Sequence, residues 1–460
     1  MWIDSPRRRQ HLEEIAKRMP EHVERLYWSE DRLNEERQKK LRETLAFARQ
    51  NSDWHRDRLA GIDIEKFTVD DISSLPTMNK DDVMSNWDQI VTDPRLTLEL
   101  ANANIVGKLR GEITDYYLFD EYQIFATGGS SGHRGVFVWG WEEFIEFACV
   151  TYRYQMRDRP PEHFQGRRCF AVVEAGETVH ASPFLFAVST DPGEEIVFVP
   201  ADTPTKDLVA RLNEVQPTHI VGYSSAIELL AGEALAGNLH IKPEHLGTNS
   251  EPLMPQARKA AKEAWGININ NAWGSVEVGI LGVECDHYNG MHLTTDNYIV
   301  EFVDKNNEAT EDPDKIDKLL VTSFICRSMP MIRYELTDIA IPKKEKCSSG
   351  AIYPLISEIR GRSDDAFKYD GDVSIHPMVF RTPLGQDPAI EQYQVHQTER
   401  GADVGLIARD KVDLDRLRAD IENALQTRGL DNPEVKIRVV EQLEHHKETG
   451  KMKRFIPLKH

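Results

Sequence analysis

A loop rich in glycine and hydroxyl residues interrupts an apolar stretch between Phe125 and Gly135, with the sequence FATGGSSGHRG. Glycine and serine are common in turns, so the loop could simply close a hairpin in a β-rich region. Backbone N–H groups and hydroxyls in such a loop can also surround phosphate oxygens. No Gly-Lys-Ser/Thr triplet follows, which excludes a Walker P-loop. The loop by itself leaves the hairpin and phosphate interpretations open.

Three charged residues further along the chain lie in segments that suit a catalytic or ligand-binding role. Glu277 lies in NAWGSVEVG, Asp338 in MIRYELTDIA and Lys451 in KETGKMKRF. Each has a structural alternative. Glu277 could begin a helix, where the helix dipole favours a carboxylate, Asp338 could cap a turn, and Lys451 could be an ordinary basic tail residue. Taken singly, these residues leave both alternatives open.

The segments that must position these residues alternate between helical and strand-like patterns. The first ~100 residues are predicted to be helical, because Leu41, Leu45 and Ala48 recur at helical spacing beside charged neighbours. Strand-like runs RCFAVVEAG, EIVFVP, THIVGYS and GININNAWG then surround a helical SAIELLAGEALAG. This alternation predicts a layered α/β body with a partly parallel sheet. YIVEFVD and KLLVTSF come close together and predict a β-rich appendage.

The C-terminal region has a smaller pattern of its own. ADVGLIARD and EVKIRVVEQL predict strands on either side of a helix, for which Asp413 is the N-cap and Gly429 the stop. The result is a compact α+β unit of domain-like size. The predicted fold is therefore α/β, with a large N-terminal body of mixed sheets at 1–361. A small α+β C-terminal domain follows at 362–460, joined through the polar stretch IRGRSDDAF.

Composition restricts the class of protein. The 460 residues are 40% hydrophobic and 29% charged, as is typical of a soluble globular chain. The net charge of −20 argues against a broad nucleic-acid or acidic-membrane surface. No apolar run approaches about 18 residues, and the N-terminus lacks the apolar core of a signal peptide. Five sparse cysteines do not suggest a disulfide framework, so we predict a cytoplasmic protein with no nucleic-acid or membrane partner.

The order of these motifs resembles the adenylate-forming enzyme superfamily, and within it the phenylacetate–CoA ligase-like family. The shared features are a Gly/Ser/Thr loop, an aromatic-Gly-x-x-Glu turn, an Arg-Tyr-x-x-x-Asp segment, a Gly-Arg-x-Asp hinge and a Gly-Lys-x-x-Arg tail. The N-terminal segments LRETLAFARQNSDWHRDRL and LPTMNKDDVMSN are similar to that family's opening helices. The resemblance covers nearly the whole chain.

This resemblance implies an acid–CoA ligase that works in two steps. A small-molecule carboxylate attacks the α-phosphate of ATP, giving an acyl-adenylate and pyrophosphate. A thiol, usually that of coenzyme A, then attacks the acyl carbon and releases AMP. The small C-terminal domain is expected to be mobile and to rotate between the steps, and an aryl or similarly flat acid fits the family.

Two alternatives to an acid–CoA ligase stay open. The acyl group could pass instead to an amine, a carrier-protein thiol or another nucleophile. A non-catalytic member would only bind nucleotide or a partner, although such a binder has no need of Lys451. The sequence also leaves open whether the protein forms a homodimer.

The resemblance assigns roles to individual residues. Glu277 would hold Mg²⁺, Asp338 would accept hydrogen bonds from the ribose hydroxyls, and Lys451 would approach the carboxylate and α-phosphate. Arg362 would reach the nucleotide, and Asp364 falls at the hinge. The residues expected to cradle the β- and γ-phosphates are Thr127, Gly128, Gly129, Ser130, Ser131 and Gly132. The residues expected beside the adenine and the acid are Ser250, Glu251, Pro252, Trp273, Gly274, Ser275 and Tyr223.

Two positions depart from the family's pattern. His133 and Arg134 stand where Lys-Pro usually follows the phosphate loop, which leaves open where the positive charge is directed. Trp273 replaces the usual tyrosine, and its flat ring could still stack on adenine.

A separate group of cysteines and histidines suits a metal. Cys285, His287 and His292 lie within ECDHYNGMH, and Cys347 follows in KEKCSSGAIYPLI. Thiolates and imidazoles are typical ligands of Zn²⁺. Some relatives in the family carry a structural metal at similar places, with a second cysteine that this chain lacks after Cys347. His287 or Cys326 could complete the site, and the alternative is a set of unrelated surface residues and buried thiols.

Overall fold

The computed structural model describes residues 6–110, 112–113, 117–127, 135–158, 168–174, 195–201, 203–362, 367–371, 373–375, 378–385, 389–408, 410–445 and 452–458.

Helices form most of the N-terminal region, as the spacing of its apolar residues predicts. Its elements are helices α1 Pro6–Arg25, α2 Glu30–Asn51, α3 Asp53–Arg58, α4 Lys80–Ser85, α5 Trp87–Ile90 and α6 Leu98–Leu109, with a 3-10 helix at Val69–Ser74. Ser29 caps α2 by accepting a 3.2 Å hydrogen bond from the backbone N–H of Arg32. Leu41, Leu45 and Ala48 are all 0% exposed, so the predicted apolar face of α2 is the buried one. Among the described residues, no helix is long and apolar enough to span a membrane.

A β-hairpin carries the glycine-rich loop. Strands β1 (Tyr122–Ala126) and β2 (Val136–Gly140) pair antiparallel, and helix α7 (Trp141–Asp158) follows β2 directly. Every residue of both strands is buried. The two flanks of the loop are therefore anchored rigidly in the core.

Two further sheets complete the N-terminal body. The strands are β3 Cys169–Glu174, β4 Glu195–Pro200, β5 His219–Gly222, β6 His245–Thr248, β7 Ile269–Ser275, β8 Gly279–Glu284, β9 Met291–Leu293, β10 Tyr298–Val303, β11 Lys318–Ser323, β12 Tyr334–Leu336, β13 Asp338–Lys343 and β14 Leu355–Arg362. The intervening helices are α8 Thr205–Val215, α9 Ser224–Leu235 and α10 Pro255–Trp265.

The larger of these sheets has nine strands in the order β13-β14-β9-β8-β7-β6-β5-β3-β4. Strands β4, β3, β5, β6 and β7 run parallel, and the neighbours beyond β7 pair antiparallel. The smaller sheet has the order β10-β11-β12 and is antiparallel. These sheets confirm the predicted mixed α/β body and its β-rich appendage.

The C-terminal region has a hydrophobic core of its own, which runs from Phe367 to Val435. Its elements are β15 Phe367–Tyr369, β16 Val373–Ile375, α11 Met378–Gly385, β17 Ile390–Thr398, β18 Gly401–Ala408, α12 Leu414–Thr427, β19 Glu434–Val439 and β20 Phe455–Ile456. Asp413 caps α12 as predicted, because its side chain accepts a 3.1 Å hydrogen bond from the Arg416 N–H. The α+β class of this region is confirmed, whereas the domain boundary at 361/362 stays a prediction.

A fully buried ion pair ties the N-terminal helices to the body. Arg153 of α7 makes two hydrogen bonds to the Asp296 carboxylate, of 2.7 and 3.0 Å, and both side chains are 0% exposed. Lys40 of α2 donates to the Asp296 carbonyl at 2.9 Å, and a guanidinium nitrogen of Arg25 in α1 lies 3.8 Å from the carboxylate. Burial opposes ionisation of Asp296, but the charge of Arg153 outweighs it and holds the pKa of Asp296 well below its usual range.

We expect Asp296→Asn to lower the free energy of unfolding by about 3–5 kcal/mol, because it leaves the Arg153 charge buried without its counter-ion. Chemical denaturation measures the change. A carboxylate with a lowered pKa stabilises the fold above its unfolded pKa of about 3.9, so the difference between wild type and variant should shrink as the pH falls below that value. The control is Asp63→Asn, which removes an exposed pair with Lys66 and should cost no more than about 1 kcal/mol. Equal losses in the two variants would contradict a central role for the buried pair.

Candidate active site

The carboxyl ends of the parallel strands meet at one edge of the large sheet, which is where α/β sheets usually bind ligands. Tyr223 follows β5, and the segment Asn249–Glu251 follows β6. The Asn249 amide donates to Glu174 at the end of β3 over 2.9 Å, and the Ser225 N–H donates to Glu251 over 3.0 Å. The structure thus places the predicted adenine segment, Ser250 to Pro252, beside the start of helix α9.

Two predicted contacts at this edge are more buried than a ligand-facing role suggests. Tyr223 is 1% exposed and packs in the apolar cluster between the sheet and its helices. Trp273 is 8% exposed and belongs to the main core. Their contacts with acid and adenine stay predictions. At this edge, Trp273 Nε1, Ser275 Oγ and Ser224 Oγ are among the buried polar atoms of the described residues that have no hydrogen-bond partner in the protein. A ligand bound at this edge would be able to satisfy them.

The turn that carries Glu277 joins β7 to β8, and the glycines on either side of it cannot be replaced without strain. A Cβ on Gly274 would lie 2.1 Å from the carbonyl oxygen of Gly279, and Gly279 itself has a φ of +92°. Trp139 of β2 donates to the Val276 carbonyl over 2.9 Å. The hairpin that bears the glycine-rich loop is therefore bonded directly to the Glu277 turn, and Glu277 is 8% exposed.

The glycine-rich loop closes on itself at its base. The Thr127 N–H donates to the Gly135 carbonyl over 2.9 Å, and the Gly135 N–H donates to Thr127 Oγ1 over 2.9 Å. Gly128, Gly129, Ser130, Ser131 and Gly132 lie outside the described residues. Of the predicted phosphate contacts, the structure therefore describes Thr127.

Lys80 is a site residue that the sequence interpretation missed. Its ammonium nitrogen lies 3.6 Å from Glu277 Oε1 and 3.4 Å from Thr127 Oγ1. Lys80 belongs to LPTMNKDDVMSN, a segment interpreted only by its similarity to the family's opening helices. The available signal was a lysine at the first position of a capped helix, which by itself does not reveal a distant partner.

Asp338 and Arg362 are brought together as neighbours in the sheet. Asp338 begins β13, is 9% exposed and pairs with Arg362 of β14 in the antiparallel register. Arg333 immediately precedes β12, the strand that leads to Asp338, and has a φ of +53°. Arg333 makes hydrogen bonds of 2.9 and 3.0 Å to Glu301 and also donates to the carbonyls of Ser73 and Leu75.

The C-terminal region contacts the body at the same edge of the sheet. The Met452 N–H donates to Glu251 Oε1 over 3.1 Å, and Arg454 pairs with Glu228 of α9 at 2.9 Å. Burial disfavours the Arg454 charge, but Glu228 outweighs it and raises the pKa of Arg454. Asp364 and Lys451 lie outside the described residues. Lys451 is nevertheless the chain neighbour of Met452, which meets the predicted adenine segment.

Three of the four predicted metal ligands converge. The ligand atoms of Cys285, His292 and Cys347 all lie within 4.8 Å of one another, and the three residues are buried. Burial, and then the neighbouring Cys347 sulfur, raise the pKa of Cys285 to about 11. His287 is exposed and its Nδ1 contacts the Ser348 hydroxyl at 2.9 Å instead. The thiol of Cys326 faces the carbonyls of Glu277 and Val278, so it does not complete the set.

Solved structures show that this chain has the fold of the adenylate-forming enzymes. A 2-hydroxyisobutyryl-CoA ligase in the post-adenylation state, in complex with R3-HIB-AMP, superposes with a TM-score of 0.71 at 16% identity, covering 95% of this chain and 91% of that one. The same enzyme in its thioesterification state gives 0.58 at 17% identity, covering 94% and 91%. These likenesses confirm the predicted fold class.

Sequence comparisons give two more particular relatives. A phenylacetate-coenzyme A ligase of Thermus thermophilus is 27% identical over 164 residues, 34% of this chain and 37% of that protein. Protein CapK of Staphylococcus aureus is 22% identical over 334 residues, 69% of this chain and 65% of CapK. The chain thus spans less than two thirds of the length of each of these relatives, and no protein-family model matches it. The comparisons confirm the predicted resemblance to the adenylate-forming superfamily and its phenylacetate–CoA ligase-like members.

We expect Gly274→Ala to lower the free energy of unfolding by about 1–3 kcal/mol, because the new methyl group would overlap the Gly279 carbonyl and displace the Glu277 turn. Urea denaturation measures the loss. Gly61→Ala is the matched control, since a Cβ at Gly61 would meet nothing within 4 Å. If Gly274→Ala were as stable as the control, the turn would not be as constrained as its geometry indicates.

Proposed function

We propose that this protein activates a carboxylic acid with ATP through an acyl-adenylate and passes the acyl group to coenzyme A. The observation that carries the proposal is the hydrogen bond from Met452 to Glu251. It brings the chain beside Lys451 to the edge of the sheet where the adenine segment lies. Thr127 and Glu277 belong to the N-terminal body, and the Lys80 side chain lies close to both of them.

The proposed chemistry divides the work between the body and the C-terminal region. Asp338 would accept hydrogen bonds from the ribose hydroxyls, and the loop beginning at Thr127 would hold the β- and γ-phosphates. The Glu277 carboxylate suits Mg²⁺, which prefers oxygen ligands and would neutralise phosphate charge when bound. A substrate carboxylate oxygen bonds to the α-phosphorus as the bond to the departing pyrophosphate breaks. Lys451 would stabilise the charge that builds on that phosphate.

The second half-reaction transfers the acyl group to a thiol. The thiol sulfur attacks the acyl carbon, the bond to the AMP oxygen breaks, and the thiol proton is released. Coenzyme A is proposed as the acceptor because two of the similar proteins are named as CoA ligases.

A pyrophosphate-exchange screen over aryl and alkyl acids tests the proposal, followed by thioester detection with and without coenzyme A. Acid-dependent exchange is expected with at least one acid, and thioester should form only when coenzyme A is present. Exchange without thioester would favour another acceptor, such as an amine or a carrier-protein thiol. If no acid supported exchange while ATP still bound, the protein would be a non-catalytic nucleotide binder.

We expect Lys451→Ala to reduce adenylation by about 10²–10³-fold, because it removes one electrostatic contact to the transition state. Pyrophosphate exchange measures this step, and thioester formation from a supplied acyl-adenylate should fall much less. Lys436→Ala, an exposed lysine of β19 in the same C-terminal region, is the control and should leave both steps intact. Exchange by Lys451→Ala within threefold of wild type would refute the assignment.

We also propose that Cys285, His292 and Cys347 bind a structural Zn²⁺. The two sulfurs are 3.7 Å apart, and His292 Nε2 is 3.4 Å from the Cys285 sulfur. Two thiolates on one tetrahedral zinc would lie about 3.8 Å apart, and a thiolate and an imidazole nitrogen about 3.6 Å apart. A disulfide would require about 2.05 Å between the sulfurs. The spacing therefore suits a shared metal better than a disulfide.

We expect purified protein to contain about one equivalent of zinc, and Cys285→Ser to lose it together with thermal stability. Elemental analysis and thermal melting measure the two effects. Cys149→Ser is the matched control, because it also changes a buried thiol but lies outside the cluster and should keep the metal. Metal-free wild-type protein of normal stability would show that the three residues are an ordinary part of the core.

A further inference from the structure

Lys80 links the two parts of the proposed phosphate site that come from different regions of the chain. Its ammonium lies between Thr127, which begins the glycine-rich loop, and Glu277, which occupies the β7–β8 turn. The lysine side chain is 24% exposed and that of Glu277 9% exposed, so the ammonium is largely shielded but still reachable from solvent. A lysine ammonium has three donors, so it can serve these two oxygens and one more.

The backbone that carries Lys80 is held firmly. Asn79 and Asp82 form a capping box, with hydrogen bonds of 2.9 Å in each direction, which starts helix α4 at Lys80. Met78 bonds to the strand that leads to Asp338: its N–H donates to the Arg333 carbonyl over 3.1 Å, and its carbonyl accepts from the Glu335 N–H over 2.8 Å. The position of Lys80 is thus set by β12, the strand that immediately precedes the predicted ribose ligand Asp338.

The stem of Lys80 crosses the base of the glycine-rich loop. A Cβ on Gly135 would lie 3.3 Å from Lys80 Cε and 2.6 Å from the Phe137 ring. The lysine is therefore packed against the point where Thr127 and Gly135 close the loop, and its charged end emerges on the Thr127 side.

We propose that Lys80 supplies a cation that binds the β- and γ-phosphates of ATP. The inference rests on the proposed function and adds a ligand to it. The loop sequence FATGGSSGHRG contains His133 and Arg134 but no lysine. A polyphosphate bound beside Thr127 would bring its negative charge next to the Lys80 ammonium, which lies 3.4 Å from Thr127 Oγ1. Lys80 would then donate to a phosphate oxygen while its link to Glu277 keeps that carboxylate aimed at the same place.

Calorimetric titration with ATP and, separately, with AMP tests this assignment in the whole 460-residue chain. Lys80→Met keeps the length of the apolar stem and removes the charge. We expect it to weaken ATP binding by at least about tenfold, the factor that corresponds to about 1.4 kcal/mol. AMP lacks the β- and γ-phosphates, so its affinity should change by less than about twofold. Lys80→Arg keeps the charge and should restore most of the ATP affinity.

Lys66→Met is the control, because Lys66 is an exposed lysine on the N-terminal region whose side chain is 86% accessible. It should bind both nucleotides like wild type. Unchanged ATP affinity in Lys80→Met would overturn the inference while leaving the proposed function intact. An equal loss of ATP and AMP binding, or a large fall in melting temperature in both Lys80 variants, would also overturn it, because a purely structural lysine predicts that result. Wild-type protein that binds neither nucleotide would overturn the proposed function itself.

Discussion

The site depends most on the ion pair between Arg333 and Glu301. The two side chains are 5% and 11% exposed, and the arginine also holds the carbonyls of Ser73 and Leu75. One guanidinium therefore joins the small sheet, the segment that leads to Lys80 and the strand that leads to Asp338. Because the Arg333 backbone adopts a left-handed conformation, which is uncommon for this residue type, surrounding contacts must stabilise it. This junction adds to the backbone bonds of Met78 in holding residues from distant parts of the chain in one frame.

A second constraint lies where the C-terminal region meets the body. The two have separate hydrophobic clusters, and the hydrogen bonds described between them join Gln392, Met452 and Arg454 to Ser225, Glu251 and Glu228. The Glu251 carboxylate has one oxygen on the Ser225 N–H of α9 and the other on the Met452 N–H. Polar contacts of this kind can be exchanged for others more readily than a shared apolar core. The arrangement therefore suits a region that must take up more than one position, as the proposed two-step reaction requires.

The proposed metal cluster and the proposed nucleotide site use different parts of the same hairpin region. Cys285 follows β8, whereas Glu277 lies in the turn that precedes it. The cluster packs with apolar residues near α7, and Tyr154 stacks on His292 with ring centroids 4.7 Å apart. A metal bound there would stabilise the strands behind the turn, and the proposed chemistry would stay with the residues at the sheet edge.

Much of the architecture was predictable from local sequence. The buried face of α2, the Asp413 cap and the alternation of strands and helices depend on residues close together in the chain, and the structure confirms each of them. The order of motifs also indicated which segments would border the site. It did not indicate how deeply Tyr223 and Trp273 are buried, and their contacts with acid and adenine stay predictions.

The contacts between distant segments were decided by the tertiary structure alone. Lys80 meets Thr127 and Glu277 because a capped helix is bonded to β12 beside the loop hairpin, an arrangement that no local pattern encodes. His287 was predicted as a metal ligand from its nearness in sequence, yet the chain turns it outward while Cys347 reaches Cys285. The sequence by itself determined the elements and the residue types available for chemistry, because backbone propensity, capping and side-chain periodicity act over a few residues. The selection of which side chains meet depended on strand order and core packing, because these join residues without regard to their separation along the chain.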